Sequence, residues 1–313
     1  MEYELKGKIQ AMNMLLVKNR MGFIFDRIKF SLVDDHNFNC SLYKKAKGRQ
    51  PDLQNPTDFS EKLLYLKEHY RNPLQTICSD KYFVKNYIEL CGLGYINKKI
   101  YGVYKSIDDI PWDDMPDRFF IHCNHMSGCN FVFDKSYGKE KKQYICNMLK
   151  MALSHNWYYS NREWNYKNID PLVVCEELLC DQNGRMPVDY KFYCFSGKPM
   201  YYMVSFGEYE HKARNHKFDM NNNSIDHKFK RKETVSPDEV VLPSNFEEMV
   251  AIVEKLCEPF PHVRVDLYNI DGRIVFGELT FYSNSGVVNV YSKEFDKEIG
   301  SWISLEKYAE DMV

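Results

Sequence analysis

The sequence predicts an α+β fold, and three observations carry that prediction. Helix-start signals and strand-like runs both occur along the chain, the strands do not alternate with helices as βαβ winding requires, and no internal repeat appears. Residues 5–48 read as helical, with Met12, Leu15, Leu16, Phe23 and Phe25 set between basic positions. Lys18, Arg20, Arg27 and Lys29 would suit peripheral association with a membrane surface. Packing against the main domain is the favoured role, because Glu2, Glu4 and Asp26 dilute the charge. The Pro-punctuated segment Gly48–Pro56 then ends this region.

Asp58 with Glu61 forms a capping-box pattern that opens a helix to about Tyr70, and Asp80 is placed to cap a second one through Leu90, before Gly92. Strands are expected at Ile100–Tyr104, Arg118–Cys123 and Asn130–Phe133, and a helix over Lys139–Leu153. Further strands are expected at Leu172–Leu179, Tyr190–Phe195 and Met200–Phe206, the last two joined by a Ser196-Gly197-Lys198 turn. The polar, Asn-rich stretch His211–Pro237 reads as a loop and a candidate lid. Phe246–Glu258 reads as a helix, and His262–Asn269 with Arg273–Phe281 as a hairpin.

Composition narrows the function classes. The 313 residues are 44 % hydrophobic and 27 % charged with a net charge of −2, so electrostatics nominate no nucleic-acid partner. The ten cysteines show no CxxC spacing, and a chain this long does not need disulfide staples, so buried reduced thiols are expected. The apolar run Met12–Val17 is short and followed by Lys18 and Arg20, unlike a signal peptide, and no apolar stretch approaches the ~18–20 residues of a membrane span. A cytoplasmic location is expected.

The segment Arg264-Val265-Asp266 to Gly277-Glu278-Leu279-Thr280 places ionisable groups in otherwise apolar strands, where unpaired charge is costly. Register decides their use. A two-residue Asp271-Gly272 turn pairs Ile270 with Arg273 and leaves Asp266 and Glu278 on opposite faces. A three-residue Ile270-Asp271-Gly272 loop, or a bulge, places Arg264, Asp266, Glu278 and Thr280 on one face; with the loop, Arg264 lies opposite Glu278. Two carboxylates and a hydroxyl there suit Mg²⁺, a hard cation that takes oxygen ligands. From the hairpin alone, an arginine–carboxylate cluster on a solvated face explains the residues equally well.

The hairpin RVDLYNIDGRIVFGELTFYSNSG resembles the metal-binding end of ATP-grasp enzymes, in particular the TupA-like branch associated with teichuronopeptide and other surface-polysaccharide biosynthesis. NPTDFSEKLLYLK, DKYFVKNYIE, PDRFFIHCNHMSG and DYKFYCFSGKP precede it in the family's order, so the resemblance covers roughly residues 55–300. It implies an ATP-grasp fold of two α+β subdomains, about 95–174 and about 175–313, within a catalytic region 55–313 that follows an N-terminal helical segment 1–54. By the same resemblance Asp266, Glu278 and Thr280 are metal ligands, with Asn284 a nearby substitute for the third, and Arg264 faces the transferred phosphoryl group. Glu176, Glu177 and Leu178 correspond to the hinge that reads adenine, while Lys81 and Lys191 line the nucleotide cleft.

One position departs from the pattern. The strand Phe119–Cys123 should end on a lysine that grips the α- and β-phosphates, and His122 stands there instead. A neutral imidazole is a poorer phosphate partner than an ammonium near pH 7. His125, Ser127 and Gly128 would supply loop contacts to the nucleotide. The implied activity is ATP- and Mg²⁺-dependent ligation of a carboxylate to an amine through an acyl-phosphate. The carboxylate would belong to a uronic-acid glycan or sugar nucleotide, and the amine to an amino acid or small amino alcohol. A kinase-like phosphotransferase and a degenerate, non-catalytic glycan-biosynthesis protein are the rivals.

Overall fold

The computed structural model describes residues 2–207, 214–230 and 235–313. In chain order the helices are α1 (Glu2–Leu32), α2 (Asp35–Lys47), α3 (Phe59–His69), α4 (Pro73–Ser79), α5 (Val84–Leu90), α6 (Lys139–Leu153), α7 (Tyr158–Asn161), α8 (Phe246–Cys257) and α9 (Lys293–Ser301). The strands are β1 (Ile100–Tyr104), β2 (Arg118–Cys123), β3 (Asn130–Asp134), β4 (Val173–Glu176), β5 (Val188–Phe195), β6 (Lys198–Phe206), β7 (Arg214–Asp219), β8 (His262–Ile270) and β9 (Arg273–Thr280). They form two compact units: Met1–Asp35, Asp80–Tyr82 and Lys98–Leu178 in the first, His36–Ser79, Phe83–Asn97 and Leu179–Val313 in the second.

The first unit is built on a four-stranded antiparallel sheet in the order β1-β4-β2-β3. Ile145, Met148, Leu149 and Ala152 recur at three- and four-residue steps along α6 and pack with Phe119, Ile121, Phe133 and Val173 of the sheet. Leu16 and Phe23 of α1 lie against the same core. The expected helical stretch 5–48 is therefore two helices, broken at Val33-Asp34.

The second unit holds a five-stranded antiparallel sheet in the order β7-β6-β5-β8-β9. Alternation puts Tyr190, Phe192 and Cys194 of β5 and Val263, Val265 and Leu267 of β8 into the core, with Met249, Ile252, Val253 and Leu256 of α8. The side chains between them, Asp189, Lys191, Arg264 and Asp266, fall on the other face. At the head of α3 the capping box is formed: Asp58 accepts from the Glu61 N–H at 2.8 Å, and Glu61 accepts from the Asp58 N–H at 3.2 Å. Burial works against the Glu61 charge, but N–H donors from Asp52 and Thr57 and the Arg49 guanidinium hold its carboxyl down to about 2.

Three expectations change. Asp80 does not cap α5, whose N-cap is Phe83 with no side-chain bond; Asp80 instead accepts from the Tyr82 N–H at 2.8 Å, a local Asx turn. The strand expected over Leu172–Leu179 is confined to Val173–Glu176. The stretch His211–Pro237 contains β7, which pairs with β6 as an edge strand, so it is not simply a loop or lid; 211–213 and 231–234 lie outside the described residues. Its polar side chains misled because they are buried with partners: His216 bonds Ser224 Oγ at 2.8 Å, and the Lys217 ammonium lies 4.8 Å over the Phe229 ring.

Candidate functional site

In the second unit the β8–β9 hairpin closes on a two-residue turn, with Ile270 paired to Arg273. Asp271 and Gly272 both have positive φ, 52° and 90°, the geometry of a type I′ turn that Asp-Gly favours. Of the two alternatives, the three-residue loop is not formed. That turn alone would split Asp266 from Glu278, but the other alternative, a bulge, brings them to one face. Register shifts between Asp266 and Leu267, so Leu267 pairs with Phe276 and Asp266 with Glu278, leaving Gly277 as the extra residue. A side chain there would crowd the Asp266 backbone, since a Cβ on Gly277 would sit 2.8 Å from the Asp266 carbonyl oxygen. Arg264 consequently lies opposite Thr280 rather than Glu278, and all four polar side chains share one face.

Their contacts form a single network. Arg264 donates to both Asp266 oxygens at 2.6 and 2.7 Å and to Glu278 Oε1 at 2.7 Å, and the Thr280 hydroxyl donates to Glu278 Oε1 at 3.0 Å. Burial disfavours the Arg264 charge, yet Asp266 and Glu278 outweigh it and raise its pKa. Lys191, paired with Asp266 across β5 and β8, donates to Asp266 Oδ2 at 3.1 Å and also to Asp189. Burial, opposed by Lys191 and assisted by repulsion from Asp266, pushes the Asp189 carboxyl up to about 7, and its Oδ1 has no hydrogen-bond partner. Asp189 was not singled out from the sequence, although its two-residue spacing from Lys191 on one strand was the available signal.

Among the described residues, no three His, Cys, Asp or Glu side chains gather closely enough to hold a metal by themselves. The donor chemistry nevertheless fits Mg²⁺, which is commonly held through one or two carboxylates and completes its shell with water and phosphate oxygens. Asp266 is almost wholly buried and Glu278 is 43 % exposed, and a cationic guanidinium already lies between them. Asn284, with φ 51°, sits in the turn after β9.

The first unit gathers a second group. Asn124, just past β2, donates to Asp80 Oδ2 at 2.8 Å, while its carbonyl accepts from the Lys81 N–H at 3.1 Å. This staple ties residues 80–82 to the loop, and the Lys81 ammonium reaches Asn130 Oδ1 at 3.4 Å, the residue paired with His122. His122 is buried, its Nε2 3.4 Å from Glu176 Oε1. Lys98 donates to the same oxygen at 2.5 Å. Glu176 is itself buried; burial alone would raise its pKa, but Lys98 and His122 hold it down to about 2. Sequence reasoning missed Lys98, because Asn97-Lys98-Lys99 has the composition of a solvated turn.

Ser127 and Gly128 form the exposed tip of the loop, with Gly128 at φ 84°. The His125 imidazole is turned elsewhere: its Nε2 lies 3.0 and 3.2 Å from the His155 and Ala152 carbonyls, and burial lowers its pKa. Glu177 gives its N–H to the Lys99 carbonyl at 2.9 Å and accepts from the Lys99 N–H at 2.9 Å; Leu178 follows, half-buried.

A family model described as TupA-like ATPgrasp matches residues 61–304. Among solved structures, similarity is found to D-alanine–D-alanine ligase from Bacillus anthracis, at 14% identity and TM-score 0.45, over 79% of this chain and 76% of that one. The corresponding ligase from Helicobacter pylori gives 13% identity and TM-score 0.43, over 79% and 70% of the two chains. The ATP-grasp ligase PsnB complexed with minimal precursor gives 10% identity and TM-score 0.40, over 76% and 63%. No curated protein matches the chain. The family model spans most of the sequence. On that match, and with its mixed α+β architecture, the chain belongs to the TupA-like ATP-grasp family.

Proposed function

We propose that the protein is an ATP- and Mg²⁺-dependent carboxylate–amine ligase. One observation carries the reading: in a chain of this family, a bulge at Gly277 assembles Arg264, Asp266, Glu278 and Thr280 on one face beside Lys191. Asp266 and Glu278, with Thr280 as the weaker donor, are the residues that would hold Mg²⁺, which when bound supplies charge neutralisation at phosphate oxygens. Lys81, His122, the Ser127-Gly128 loop tip, the Glu176–Leu178 segment and Lys191 are the residues that would hold the nucleotide; His125 serves through the loop backbone it anchors. Arg264 stabilises the negative charge that develops as the substrate carboxylate attacks the γ-phosphorus and ADP leaves. An amine then attacks the acyl carbon and releases phosphate.

The family's association with surface polysaccharides supports a uronic acid, in a glycan or a sugar nucleotide, as the carboxylate, and an amino acid or small amino alcohol as the amine. An ATP-consuming reaction and a chain of free thiols agree with a cytoplasmic location. The test is product analysis with a uronic acid and an amine supplied together and separately. ADP, phosphate and an amide should appear only when both are present, and Asp266→Asn should abolish all three. A phosphorylated product without amide would establish a phosphotransferase instead.

A further inference from the structure

α1 carries two stripes on opposite sides. The inner one, Leu16, Asn19, Phe23, Asp26 and Phe30, recurs at three- and four-residue steps and is committed within the first unit: Phe23 stacks on His155 with centroids 3.8 Å apart, Phe30 packs on Tyr158 and Tyr159, and Asp26 accepts from Ser160. The outer one, Met14, Val17, Met21, Ile24, Ile28 and Leu32, has the same spacing but faces solvent, with exposures from 45 % at Ile24 to 76 % at Leu32. Phe25, 61 % exposed, extends it. At 3.6 residues per turn these positions fall within an arc of about 100°.

The flanks decide what covers this stripe. Exposed Lys18 and Lys29 border one edge, and exposed Arg20 and Arg27 border the other. Between Met14 and Leu32 the sole acidic residue is Asp26, which belongs to the inner stripe. An apolar band with cations along both margins matches a lipid surface of negative charge: the band enters the acyl boundary while the long basic side chains reach the headgroups. Pairing with a second copy would instead set cations against cations at both margins. Among the described residues no helix is long and apolar enough to cross a membrane, so contact would be along the surface. We propose that the outer stripe of α1 docks the protein on an anionic membrane leaflet, independently of the reaction assigned above.

Flotation of the full chain with phosphatidylcholine vesicles, with and without phosphatidylglycerol, tests this. The protein should float with the anionic vesicles, and the bound fraction should fall as salt rises. Lys18→Ala with Arg20→Ala should weaken binding to anionic vesicles about thirtyfold. Ile24→Ser with Ile28→Ser should abolish it, and because all four side chains are exposed, both variants should keep the wild-type circular dichroism and melting curve. Absence of binding to anionic vesicles, or equal binding to neutral ones, would overturn the proposal. So would a lipid-free dimer that Ile24→Ser with Ile28→Ser converts to monomer, which would make the stripe an interface between copies.

Discussion

Glu176 shows how one carboxylate can organise a site. Its oxygen Oε1 receives Lys98 and faces His122, and these partners overcome the burial that would otherwise raise its pKa from the reference value of 4.5, bringing it to about 2. A carboxyl depressed in the folded state contributes stability that is fully present above the unfolded value and is lost as pH falls toward the folded one. The window here is pH 4.5 down to about 2, and the shift corresponds to roughly 3 kcal/mol. Glu176→Gln should therefore cost about that much at pH 7, measured by urea denaturation, and the gap to wild type should narrow as pH is lowered from 6 to 3. A gap that stays constant would show that the ion pair is not what stabilises Glu176. Lys98 escaped the sequence because its partner lies 78 residues away, and nothing local distinguishes it from a surface lysine.

The β8–β9 hairpin depends on two glycines. Asp271-Gly272 makes the tight turn, and the bulge at Gly277 then restores the face that the turn would have scrambled. Gly277→Ala would bring a methyl group within 2.8 Å of the Asp266 carbonyl, so β9 must move. The expected cost is about 1–3 kcal/mol, with a larger proportional loss of the proposed ligase activity because Glu278 follows directly. Denaturation and product assays on the same sample check both, and unchanged activity would detach the bulge from the site. Elements held by short-range bonds were readable from sequence: the partners of the Asp58–Glu61 box are three positions apart, and α6 begins and ends at the expected Lys139 and Leu153. β7 was not readable, because its buried His216 and Lys217 are satisfied by partners that composition does not show.

For the whole molecule, nucleotide binding is measurable without either of the ligation substrates. A ligand that binds only the folded chain stabilises it by mass action, by about 2.7 kcal/mol at a hundred times its dissociation constant. Mg-ATP should raise the melting temperature in a concentration-dependent way, and Asp266→Asn with Glu278→Gln should remove the magnesium-dependent part of the shift. No shift at saturating Mg-ATP would contradict nucleotide binding. The sequence by itself determined the α+β class, the family and most of the helices and strands, though not α4, α7, α9 or β7, because periodicity, caps and ordered motifs are local properties. Only the tertiary structure decided which face Glu278 takes, that Arg264 bridges two carboxylates, that Asp80 staples Lys81 to the Asn124 loop, and that Lys98 joins His122 at Glu176. Each of these rests on a bulge or on a contact between residues far apart in the chain. Such contacts form because a buried charge must find its partner, and the sequence does not record where that partner will be.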